Sequence, residues 1–145
     1  MKRLILLLIF VPLMSVSALC QKGLNIAQAF DGRYSKQSYA EEVTVKGDML
    51  LGIDIDYYRA LTVTNAEATE FIRNLVVKDG MSAKLKEVTM RGGKLAYGFY
   101  QLPPSKAVYS DRFIFFYENN GRGALIYMEG DATLKQIKKT LMKKQ

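Results

Sequence analysis

The segment Asp111–Glu129, DRFIFFYENNGRGALIYME, restricts the fold more than any other part of the chain. Every residue from Phe113 to Tyr117 is β-branched or aromatic, and Leu125 to Met128 resumes in the same style. Between them lies Asn119-Asn120-Gly121-Arg122-Gly123, whose residues tolerate positive φ. This is the pattern of a β-hairpin. Its outgoing strand carries Phe113, Phe115 and Tyr117 on one face and Ile114 and Phe116 on the other. A strand that is apolar on both faces belongs in the middle of a sheet.

The remaining elements follow in order. Ile26, Ala27 and Phe30 share one side of a short helix within Leu24–Tyr34, which Asp31-Gly32 would end. Val43 and Val45 alternate with Thr44 and Lys46, predicting a half-buried strand over Glu42–Lys46 closed by Gly47-Asp48. Met49–Asp56 fits either a strand or a turn, and Tyr57–Val63 is a strand by composition. Thr64 and Glu67 have the spacing of a capping box, and Ala68, Phe71, Ile72, Leu75 and Val76 form an apolar stripe behind it. Glu67, Glu70, Arg73, Asn74 and Lys78 then face solvent, and Gly80 is a candidate end. Lys84–Met90 and Leu95–Leu102 flank Gly92-Gly93, a second hairpin signal, and Pro103-Pro104 turns the chain out through Tyr109. Asp131 or Thr133 caps a last helix whose stripe is Leu134, Ile137, Leu141 and Met142.

The order helix, two strands, helix, four-strand meander, helix predicts a single α+β domain of two layers. It would be an antiparallel sheet of five or six strands with helices packed on one face. No internal repeat or interdomain linker is evident.

The beginning of the chain bears on compartment. Met1-Lys2-Arg3 is basic, and Leu4–Met14 is apolar but shorter than the ~20 residues that span a bilayer. Small residues follow: Ala18 and Cys20 suit a cut before Gln21, which is preferred, and Ser15 and Ser17 would serve a cut before Ala18. Residues 1–20 therefore read as a signal peptide, with 21–145 as the exported domain, periplasmic or secreted. A lipoprotein would be acylated at Cys20, but Leu19 stands where that processing wants a small residue. Removal of Lys2 and Arg3 lowers a formal net charge of +7, and the single cysteine leaves with the leader. Without disulfides such a domain depends on its core, to which nine tyrosines and the six phenylalanines that follow the leader can contribute.

The chemistry-bearing residues are sparse. The chain contains no histidine, which removes Ser-His and Cys-His catalysis and the usual zinc ligand sets, and no cofactor or metal site is implied. No serine of the exported part has lysine three residues later. Asp54 and Asp56 would share a strand face, and Asp111, Glu118, Glu129 and Asp131 gather at the hairpin ends, where carboxylates are most often solvated or capping. Asp54 and Asp56 lack the further oxygen ligand and turn glycine of a calcium loop. Gly121-Arg122-Gly123 precedes a strand and not a helix N-terminus, so it is a turn and not a phosphate loop. The last helix carries Lys135, Lys138, Lys139, Lys143 and Lys144, suited to a helix C-terminus or to an anionic surface.

The leader, KLAYGFYQLPP and DRFIFFYENNGRGALIYMEGDATLKQI together make the chain resemble the small secreted domain-of-unknown-function proteins of the Bacteroides type. The resemblance implies an exported envelope protein and brings no catalytic or ligand-binding residue with it.

The function read from the residues is a non-enzymatic module binding a protein or an envelope component through an aromatic-rich sheet. Tyr57, Tyr97, Tyr100 and Tyr127, all on predicted strands, are the candidate binding residues, since tyrosine can bury a ring at an interface and still hydrogen-bond. Nucleic acid is a poor candidate for an exported partner. Two other classes stand beside this one: a small carboxylate-dependent hydrolase and a carrier of an apolar ligand. Two carboxyls facing each other in a deep cleft would favour the first, and a closed apolar cavity the second.

Overall fold

The computed structural model describes residues 23–50, 53–105 and 110–143, without the side chains of 48–50, 53–54 and 140–143. The expected signal peptide, Cys20 and Tyr109 lie outside the described residues, as do the side chains of Asp54, Leu141 and Met142. A 3-10 helix, Asn25–Phe30, is followed by strands β1 (Ala40–Leu50) and β2 (Ile53–Val63) and helix α1 (Ala66–Gly80). Strands β3 (Leu85–Arg91), β4 (Lys94–Leu102), β5 (Asp111–Asn119) and β6 (Arg122–Gly130) come next, and helix α2 (Leu134–Lys143) is last.

The six strands form one antiparallel sheet in the order β1-β2-β6-β5-β4-β3. The aromatic hairpin supplies its two middle strands, as its two apolar faces require. Both glycine turns are two-residue loops with positive φ throughout: Asn120 at 51° and Gly121 at 78°, Gly92 at 59° and Gly93 at 77°. That geometry follows the right-handed twist of the flanking strands. β2 lies beside β6 and β3 at the far edge, so α1 must cross the sheet, and it packs on β6, β5 and β4 as it goes.

Successive residues of the middle strands point into different clusters. Ile114, Phe116, Leu125 and Tyr127 meet Ile26, Phe30, Ile72, Leu75 and Val76 of the first two helical segments. Phe113, Phe115 and Met128 join Phe99 and Ile137 of α2. Alternate residues of a strand occupy opposite faces, so α2 covers the other side of the sheet. The expectation of helices on one face holds for the 3-10 helix and α1 and fails for α2. The physical reason lies in β5, whose second apolar face needs cover as much as its first.

Other elements differ in detail. The first helix is a 3-10 turn that leaves Ile26, Ala29 and Phe30 buried. β1 does not stop at Gly47, whose φ of 59° lets the strand continue opposite the β2 irregularity between Ile55 and Tyr57. The α1 cap is Asn65, one residue beyond Thr64, and its side chain accepts from the Ala68 amide at 2.9 Å. Thr133, rather than Asp131, caps α2. Its hydroxyl accepts from the Gln136 amide at 3.1 Å, and the Gln136 side chain accepts from the Thr133 amide at 2.8 Å. This is a reciprocal capping box.

Within α1, Ile72, Leu75 and Val76 are buried as expected, while Phe71 is only half-buried and lies beneath the Arg33 guanidinium, 4.5 Å from its ring centre. Arg73, read from the sequence as solvated, is buried, because its Nε donates to the Leu95 carbonyl at 2.9 Å.

Replacing Ile72 with alanine is expected to cost about 2–5 kcal/mol, the range for truncating a large aliphatic side chain in a close-packed core. Asn74→Ala, on the exposed side of the same helix, should stay within about 0.5 kcal/mol. Chemical denaturation of the two variants compares these values directly, and equal midpoints would contradict the docking of α1.

Candidate binding surface

The four candidate tyrosines do not share a surface. Tyr127 is fully buried and meets Tyr57 edge-on, with ring centres 6.1 Å apart. Tyr100 is buried on the same side, between Gly80 at the end of α1 and Gly98 on its own strand. A Cβ on Gly80 would stand 2.5 Å from the Tyr100 ring, and one on Gly98 would stand 2.7 Å from it. These three rings are core, and the two glycines make room for one of them. Tyr97 points to the opposite face and is half-buried. The tyrosine surface expected from the sequence therefore reduces, among its four named members, to Tyr97.

Polar groups under the first face are committed to holding the fold. Asp79, buried at the end of α1, accepts from the Asn25 amide at 2.7 Å, the Asn25 side chain at 2.9 Å and the Ile26 amide at 2.8 Å. It thereby caps the 3-10 helix. Arg59 ties the same segment to β2 by donating to the Phe30 carbonyl at 3.0 Å and lying over the Phe30 ring at 4.7 Å. At the far end of the sheet, Glu129 accepts from the Tyr127 hydroxyl at 2.6 Å, and Arg112, its cross-strand partner, donates to the Pro103 carbonyl at 2.7 Å. Burial pushes the Glu129 carboxyl above its ordinary value. The Tyr127 hydroxyl and the charge of Arg112 pull it part of the way back, while Asp56 pushes it up.

One cleft brings Glu70 and Glu118 together. It measures about 420 Å³ and lies between α1 and the tips of the β3–β4 and β5–β6 hairpins. Glu70 and Glu118 line it, but Arg73 bridges them, paired with Glu70 and standing 3.7 Å from Glu118. A guanidinium thus fills the space where the bond to be cleaved would have to sit. Glu118 also accepts from the Gly121 amide at 3.4 Å, which is a turn contact. Asp111 lines another cleft of about 610 Å³ with Lys84, Lys135 and Lys138, and no second carboxylate faces it there except Glu87, which is paired with Lys138. Among the described residues no group of three or more metal-ligating side chains converges.

The second face of the sheet is different. Cross-strand register sets out its rows. Val45, Tyr58, Met128 and Phe113 form one. Val43, Ala60, Ile126, Phe115 and Phe99 form the next, and Ala124, Tyr117 and Tyr97 a third. Phe99 and Phe115 stack with centres 4.5 Å apart, and Tyr97 meets both edge-on at 5.0 and 5.6 Å and Tyr117 at 6.4 Å. α2 seals the Phe99 side of this array through Ile137, and Lys138 anchors it to Glu87 on β3. Toward β1, and along the row of Tyr117 and Tyr97, the array remains partly in solvent. Val45, Tyr58, Ala60, Ala124, Ile126, Tyr97 and Tyr117 are half-buried, and Val43 is 48% exposed. Burial raises the hydroxyl pKa of both Tyr58 and Tyr97.

Tyr58 and Tyr117 thus join Tyr97, and the alternation of Val43 with Val45 and of Phe113, Phe115 and Tyr117 already marked part of this face. Tyr58 could be placed only once its bulged register was known. Two residues of β2, Ile55 and Tyr57, point to opposite sides despite their spacing because the pairing with β6 shifts between them.

The model of a family of unknown function, DUF6108, matches residues 13–141, and the chain belongs to that family. No curated protein matches it.

The raised Glu129 pKa has a sign that can be measured. The folded state holds the Glu129 proton to higher pH than the unfolded state, so stability is withdrawn as pH rises from the ordinary value of 4.5 through the folded one. Glu129→Gln can still accept from Tyr127 but cannot ionise. Its stability relative to the wild type should rise across that window and then level off. Denaturant midpoints against pH would show this, and a pH-independent difference would contradict it.

Proposed function

We propose that this protein is an exported envelope protein that binds a protein partner or an envelope component through the half-buried aromatic face around Tyr58, Tyr97 and Tyr117, without catalysing a reaction. The observation that carries this reading is the continuous apolar strip from Val43 on β1 to Tyr97 on β4, left partly in water at the side of the sheet that α2 does not seal. Contiguous apolar surface of this kind marks interaction sites, and tyrosine combines large contact area with a hydrogen-bonding tip. The leader-like residues 1–20 support the compartment. An intact mass beginning at Gln21 in protein from the native host would test that part, and a mass retaining Leu4–Met14 would contradict it.

The hydrolase reading finds less support, because Arg73 stands between Glu70 and Glu118. The carrier reading would need an enclosed apolar space, whereas the core clusters are filled by side chains of both sheet faces.

Once a partner is isolated from envelope extract, Tyr58→Ala, Tyr97→Ala and Tyr117→Ala should each fold, and at least one should weaken binding by more than about 2 kcal/mol, roughly thirtyfold. Glu118→Gln should bind as the wild type does. Titration by calorimetry decides it. Three tyrosine variants with unchanged affinity, or a hydrolytic activity abolished by Glu118→Gln in a folded protein, would replace the proposal.

A further inference from the structure

Strand β3 closes one edge of the sheet, and all seven of its residues are exposed. An edge strand offers unpaired backbone groups to any extended chain, and proteins commonly block it with proline, a bulge or inward charges. β3 has no proline. The irregularity beside it belongs to its neighbour, because Thr89 and Met90 are consecutive while their partners Tyr97 and Leu95 skip Ala96. β3 itself is therefore regular, and it displays Leu85, Val88 and Met90 at 52, 43 and 56% exposure.

The order of its side chains is complementary to its own reverse. Glu87 stands two residues before Thr89 and Arg91 two after, with Val88 and Met90 between. In an antiparallel pair of two copies related by a two-fold axis through Thr89, Glu87 faces Arg91, Val88 faces Met90 and Thr89 faces itself. A shift of two residues in one direction sets Leu85 against Arg91 and Lys86 against Met90. A shift in the other sets Thr89 against Arg91. Only the Thr89 register pairs opposite charges at both ends and apolar side chains within. Glu87 contacts Lys138 through Oε1, which leaves its other oxygen for a further cation.

We propose that β3 is the docking site for the β3 of a second copy of this chain, joining two six-stranded sheets into one across an isologous antiparallel interface centred on Thr89. The axis is normal to the sheet, so each face continues as itself. The aromatic strips of the two copies then lie on the same side of the joined sheet, each running inward from its outer β1 end to Tyr97, which pairs with Thr89 one strand from the joint. The ends toward β1 stay open to the partner proposed above. The other edge has the same order, Glu42-Val43-Thr44-Val45-Lys46, but Glu42 lies beside Arg59 at 3.7 Å and Val43 and Val45 belong to the aromatic face. It therefore serves as the internal comparison.

The test uses the exported protein, residues 21–145, which contains no cysteine. Thr89→Cys should form an intermolecular disulfide on mild oxidation, since residues opposite each other in an antiparallel pair bring their Cβ atoms to about 4.5–5.5 Å. Thr44→Cys should remain a monomer on a denaturing gel. By sedimentation Arg91→Glu should weaken the dimer about tenfold or more by setting like charges face to face, and Glu87→Arg with Arg91→Glu should restore it. Circular dichroism confirms that the variants fold. A monomeric wild type at hundreds of micromolar, cross-linking of the Thr44→Cys variant in place of the Thr89→Cys variant, or a double variant no tighter than Arg91→Glu would each overturn the proposal.

Discussion

The structure depends on one constraint: the strand from Asp111 to Asn119 is apolar on both faces, so it can exist only with a neighbour on each edge and a cover on each side. β4 and β6 supply the neighbours. α1 and the 3-10 helix cover Ile114 and Phe116, and α2 stands over Phe113 and Phe115. β4 and β6 are at least as buried as β5 itself, and burial gives out only beyond β4, where β3 has no buried residue at all. Burial at ~25 cal/mol per Å² of apolar surface makes the middle of the sheet the main source of stability.

Polar contacts decide where the cover sits. Asp79 fixes the 3-10 helix to the end of α1, Arg73 fixes the middle of α1 to β4 through the Leu95 carbonyl, and Thr69 places the start of α1 by lying 3.0 Å from the Gly121 carbonyl. Gly80 and Gly98 admit the Tyr100 ring at the other end. Each of these buried polar groups would cost on the order of 1–3 kcal/mol if left without its partner, so together they specify one docking of α1 rather than several.

The elements are largely legible in the sequence because they rest on local patterns. Asn120-Gly121 and Gly92-Gly93 announce their turns, and Phe113 to Tyr117 announces a middle strand. What alternation cannot reveal is which face a distant helix will cover. That is why the sequence puts α2 beside α1, and why Tyr57, Tyr100 and Tyr127 read as surface when their face lies under the helices. The period of two also misplaces residues across a bulge, as at Ile55 and Tyr57. Arg73 follows the same logic: its helical position points to solvent, and only the arrival of the Leu95 carbonyl gives it an interior role. The proposed binding face is half legible, in Val43, Val45, Tyr97 and Tyr117, and the edge complementarity of β3 becomes visible once the strand order places it outermost.

On the proposed reading, function and stability divide the sheet between them, with the middle strands sealed for folding and the strip toward β1 and the β3 edge left for partners. The most direct test of this division is native-state amide hydrogen exchange, resolved by residue. The interior amides of β5 and β6, such as those of Ile114, Phe115 and Ile126, should exchange only through global unfolding, with protection equal to the full unfolding free energy. Those on the solvent sides of β1 and β3 should exchange orders of magnitude faster in the dilute monomer. Middle-strand amides that exchange as fast as the edges would contradict the account.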